Sequence, residues 1–128
     1  MKNISTILAA GILALVFSNQ ISASGYSGKT ESGGEAGSMA EAIKHTKMAA
    51  LHKAHAEHIH QHAKESLEYV KKAEIEVIES GNAKGRAHIT ESIQHLVEAI
   101  RHAKMGHAEI ASEHVDDASE EMHQFVAK

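Results

Sequence analysis

The chain has no cysteine, no proline and no tryptophan, and only two Tyr and two Phe. Without cysteine there is no disulfide framework, iron–sulfur cluster, thiolate zinc site, thiol nucleophile or covalent c-type haem. The scarcity of aromatic and β-branched residues argues against a sandwich or barrel. Basic charge is also in short supply. Thirteen Lys and Arg face 17 Asp and Glu, and the formal net charge of -4 points away from binding a phosphate backbone. No H-E-x-x-H or G-x-S-x-G motif marks a catalytic centre, so an enzyme is not expected. What the chain has in excess is histidine, 12 in 128 residues.

The N-terminus reads as a secretory signal peptide over residues 1–23. Lys2 supplies a basic start and residues 4–17 are almost wholly apolar. Small residues follow, with cleavage expected after Ala23, or after Ser24 as the second choice. The apolar run is shorter than the roughly 20 residues that span a bilayer. The mature chain is therefore expected to be periplasmic and free of the membrane. Residues 24–37, rich in Gly and Ser, read as a flexible linker.

Residues 38–128 read as one all-α domain. Ser38 with Glu41 fits a capping box. Apolar and small residues then recur at alternating steps of four and three. Ile59, Ala63, Ser66, Val70, Ala73 and Val77 form one seam. Ile89, Ile93, Leu96, Ile100 and Ala103 form another, and Val115, Ala118, Met122 and Phe125 a third. Gly81 is a helix stop, and Gly106 marks a weaker break. Residues 39–80 contain no such mark, but an internal repeat supplies one. Glu41-Ala-Ile-Lys-His45-Thr-Lys-Met48 matches Glu98-Ala-Ile-Arg-His102-Ala-Lys-Met105, and the second copy is followed by a break. A turn is therefore predicted near residues 53–57. The expected fold is an antiparallel up-and-down four-helix bundle built from two helical hairpins.

The histidines fall in patterns. His88, His95 and His102 are seven residues apart and line one stripe beside the apolar seam, bordering solvent. His45 and His52, and His107 and His114, repeat that spacing. His52, His55, His58, His60 and His62 place five imidazoles in eleven residues, a density with no ordinary structural use. Helix neighbours at i,i+3 or i,i+4 lie about 5–6 Å apart at Cβ, close enough for two rings to share an ion. Glu41, Glu91 and Glu98 each precede a His by four residues and are possible further ligands or ring partners. Taken singly, His60 and His123 are ordinary solvated side chains, yet they complete the set of twelve candidates. Met48 and Met105, each three residues after a His, are read as core residues and not as thioether ligands. Imidazole suits Cu(II), Ni(II) and Zn(II), and the affinity order puts copper first.

At these residues the sequence resembles the small metal-binding protein family of ammonia-oxidising bacteria. Ile93-Gln-His95-Leu-Val-Glu-Ala-Ile100-Arg-His102-Ala-Lys-Met-Gly106-His107 resembles the family's I-K-H-L-E-D-A-I-K-H-x-x-x-G-H stretch. His62-Ala-Lys-Glu-Ser-Leu67 is similar to its H-A-K-E-S-L, and Glu41-Ala-Ile-Lys-His45 to its E-A-V-K-H. The resemblance implies a monomeric periplasmic four-helix bundle that binds several divalent ions, copper above all. This chain departs from the family pattern at Tyr69 and Glu121, which stand where the family has His, and in its Gly-free first turn. The function expected is reversible binding of transition-metal ions for buffering, storage or transport. The rival expectation is a helical adaptor or chaperone-like protein whose histidines sense pH.

Overall fold

The computed structural model describes residues 35–127. The expected signal peptide and most of the expected linker lie outside these residues. Within them the chain forms four helices, α1 (Glu35–Leu51), α2 (Ala56–Ser80), α3 (Ala83–Lys104) and α4 (Ala108–Val126). No strand occurs among the described residues, and no helix there is long and apolar enough to cross a membrane.

Each helix packs on the next in sequence, and α1 closes against α4. This is the expected up-and-down bundle of two hairpins. The short turns α1–α2 and α3–α4 share one end, and the α2–α3 turn lies at the other. The predicted turn near residues 53–57 falls at His52–His55, where the His55 N–H donates to the His52 carbonyl at 2.8 Å. Lys53 in that turn reaches Asp116 of α4 at 3.0 Å.

Two glycines end helices for the same physical reason. Gly81 and Gly106 have φ of 72° and 81°, a left-handed conformation that costs glycine little. At each, the N–H of the glycine and that of the residue after it fold back on the helix end in the Schellman pattern. Gly81 N donates to Ile78 O and Asn82 N to Val77 O. Gly106 N donates to Ala103 O and His107 N to His102 O. The second closure places His107 directly over His102.

The core is narrow. Ile59, Ile89, Leu96, Met39 and Met122 are its largest fully buried members, joined by Val70, Val77, Val115 and Phe125, and alanines such as Ala42, Ala49, Ala63, Ala73, Ala99, Ala111 and Ala118 make up much of the rest. The α2 and α4 seams are as read from the sequence. On α3 the buried stripe is Gly85, Ile89, Ser92, Leu96, Ala99 and Ala103, with Ile93 and Ile100 flanking it half-buried. Small residues at the centre of that stripe let α3 approach both α2 and α4. Two buried hydroxyls serve one carbonyl: Thr46 Oγ1 and Ser66 Oγ each lie 2.9 Å from Ala42 O and 2.7 Å from one another.

Two expectations are corrected. Helix α1 begins at Glu35, so Ser38 lies inside the helix and is not its N-cap. Its hydroxyl donates to Glu76 Oε1 of α2 at 2.9 Å. Met48 and Met105 are 38% and 49% exposed, so the core methionines are Met39 and Met122 instead.

Gly85 sits in the first turn of α3, under the Asn82 side chain that caps the helix by accepting from Gly85 N at 2.9 Å. A Cβ there would lie 2.6 Å from Asn82 Nδ2 and 2.8 Å from Phe125 Cε2. Gly85→Ala must displace the cap and crowd Phe125. It is expected to cost about 1–3 kcal/mol from overpacking, with about 1 kcal/mol more if the cap is lost. Thermal melting checks this, and an unchanged Tm would contradict it.

Candidate metal centre

The first groove lies between α1 and α2. His45 of α1 and His62 and Glu65 of α2 converge there. Glu65 Oε2 is 2.8 Å from His45 Nδ1 and 3.1 Å from His62 Nδ1. His45 Nδ1 is buried and, despite that closeness, makes no hydrogen bond of acceptable angle. Donors about 2.0–2.1 Å from one ion, set about 90–110° apart around it, lie about 2.9–3.4 Å from each other. The carboxylate oxygen already stands near that separation from each ring nitrogen, and all three donors lie within 4.8 Å of one another. Tyr69 stacks on the His45 ring, with centroids 5.5 Å apart and planes 11° apart, and fixes its orientation.

From this triad the rings continue toward the turn. His52 stacks on His62 at 6.0 Å and meets His58 edge-on at 4.6 Å, and His55 lies 5.6 Å from His58. Partial burial, and then repulsion from His58, His62 and His55, hold the His52 imidazole below its usual range. The sign follows directly. Protonating His52 is harder in the folded chain, so its contribution to stability is present above about pH 6.5 and is lost as pH falls through the lowered folded value. The neutral ring is also the form that ligates a metal.

The second groove lies between α3 and α4. His95 Nδ1 is 3.4 Å from His114 Nδ1 and 3.7 Å from Asp117 Oδ2. His102 stacks on His114 at 5.6 Å, and its Nε2 is 3.9 Å from Glu98 Oε2. His102 Nδ1 is 3.5 Å from His107 Nδ1, as the Gly106 closure requires. Two donor triads result, His95–His114–Asp117 and Glu98–His102–His114.

Nine of the twelve candidate histidines are thus gathered in two ring clusters. Five are in the first groove and its turn (His45, His52, His55, His58, His62), and four in the second (His95, His102, His107, His114). Three are placed elsewhere. His60 lines a shallow surface with Gln61, Lys64, Glu65 and Glu68, which adjoins the first groove at Glu65 but brings His60 into no ring contact with its histidines. His88 pairs with Glu121 of α4 at 2.8 Å, a strap between helices. The exposed ring of His123 donates from Nδ1 to the Ser119 carbonyl at 2.6 Å.

The carboxylates differ from those expected. Glu41 pairs with Lys44, and the partner of His45 is Glu65. No contact of Glu91 with His95 is found among the described residues, and the carboxylate beside that ring is Asp117. Glu98 does approach His102, though Arg101 holds the same oxygen at 2.8 Å. A signal for the missed pair was present. His62-Ala-Lys-Glu65 and His114-Val-Asp-Asp117 share a His with an acid three residues on, which sets both groups on one helix face.

Fold and site together define a class, a helical bundle whose interhelical grooves gather imidazole and carboxylate donors suited to metal ions. A family model for the small metal-binding protein matches residues 1–125, and the chain belongs to that family. No curated protein matches the chain.

Proposed function

We propose that this protein binds several divalent transition-metal ions reversibly, copper in preference to nickel and zinc, as a periplasmic buffer, store or carrier. The observation that carries the reading is the convergence of His45 Nδ1 and His62 Nδ1 on one oxygen, Glu65 Oε2, at 2.8 and 3.1 Å. Imidazole is a borderline donor whose affinity for divalent ions peaks at copper. The carboxylate supplies charge and orients the rings. The donor side chains lie in grooves between helices, and those of His45 and His62 keep about a fifth of their surface exposed, outside the apolar core. The apolar N-terminal segment with its small-residue cleavage region supports export.

The mechanism is plain coordination by neutral imidazoles, so protons compete with the ion. Between about pH 7.5 and about pH 5.5 the neutral fraction of an ordinary imidazole falls about tenfold. A site using two imidazoles is expected to weaken about 100-fold over that interval. Copper titrations at the two pH values check this, and equal affinity would contradict it.

A further inference from the structure

We infer that the α3/α4 groove holds one divalent ion distributed over two overlapping positions that share His114, and not two ions side by side. The inference rests on the metal-binding reading and adds to it how many ions the groove takes. His114 belongs both to the triad with His95 and Asp117 and to the triad with Glu98 and His102. A neutral imidazole ligates through one nitrogen while the other carries a proton. Serving two ions at once would require His114 to lose that proton. The donors of each triad all lie within 4.8 Å of one another, so two dications flanking His114 would also repel at short range.

Charge decides where the ion rests. Asp117 Oδ2 faces His95 in the first position. Glu98 Oε2, the acid of the second, already accepts from Arg101 Nε at 2.9 Å and Nη2 at 2.8 Å. Arg101 Nη2 also lies 3.5 Å from His102 Nε2. The guanidinium competes for the second position's donors, so the ion favours His95, His114 and Asp117. Among the described residues the first groove has one such triad, His45, His62 and Glu65, and none of its members belongs to a second.

The test is equilibrium dialysis of the mature chain against free Cu2+, counting ions per chain. His114→Gln is expected to lose one ion relative to the native chain. His95→Gln and His102→Gln are each expected to lose none, and the double variant one. His102→Gln should leave affinity nearly unchanged, whereas His95→Gln, which forces the ion onto the Arg101-guarded position, should weaken it at least about tenfold. If His95→Gln and His102→Gln each lose one ion and the double variant two, or if His114→Gln loses two or none, the shared site is wrong while metal binding stands. A native chain that retains no copper overturns both. The two single variants and their double decide the count even if His114→Gln fails to fold.

Discussion

Replacing His45 and His62 together with Gln is expected to weaken the tightest copper site at least about 100-fold. Loss of an outer partner of a ligand alone costs 10–100-fold in metal affinity, and here two ligands go. The distances single this site out. Its two nitrogen–oxygen separations are 2.8 and 3.1 Å, against 3.4–3.9 Å between the donors of the second groove. Less movement is needed to close it on an ion. The Tyr69 ring against His45 further restricts the donor before an ion arrives. Both side chains are about one-fifth exposed, so Gln is tolerated and the fold should persist. Competition with a chromophoric copper chelator reads the change. An unaltered tightest affinity would place that site elsewhere, with the His52–His58 turn the first place to look.

The second large effect concerns stability. Leu96→Ala is expected to cost about 2–5 kcal/mol, the range for removing a fully buried leucine. Leu96 is 0% exposed and is among the largest fully buried side chains of the core. A bundle this small has about 5–15 kcal/mol in total. At about 4–8 °C per kcal/mol for a domain of this size, Tm should fall by at least about 8 °C. Copper at about 100 times its Kd should restore up to about 2.7 kcal/mol per site, because an ion in the first groove ties α1 to α2. Melting curves with and without copper check both halves. A small shift in Tm would mean the core is looser than its burial indicates.

Much of the fold is legible in the sequence because periodicity reports burial directly. The α2 seam from Ile59 to Val77 is buried at every predicted position. The α1–α2 turn, which has neither Gly nor Pro, was accessible through the Glu41–Met48 repeat of Glu98–Met105. Capping was less legible. Ser38 has the right spacing to Glu41, but its hydroxyl is taken by Glu76 on another helix, and nothing local announces a tertiary partner. Met48 and Met105 failed for a related reason. Apolar character alone does not tell which side of a short helix end faces a neighbour.

The site was legible as a set of helix faces and not as pairings. The stripe of His88, His95 and His102 borders solvent as the seven-residue spacing requires, yet its members go to different partners. His88 lies opposite Glu121, and His95 and His102 lie opposite His114, because α4 presents those residues at those heights. Such a match across two helices depends on their relative register, which is set by where the Gly106 turn closes. The same register makes Asp117 the carboxylate beside His95, and the register of α1 on α2, closed by the His52–His55 turn, makes Glu65 the one beside His45.

The central claim is that imidazoles of the two grooves hold divalent ions. The most direct measurement exposes the protein to equal amounts of Cu, Ni, Zn and Mn, desalts it and counts the retained metals by elemental mass spectrometry. Several copper ions per chain, in excess over the other metals and released below about pH 6.5, are predicted. Retention of no metal, or retention unaffected by acid, would contradict it.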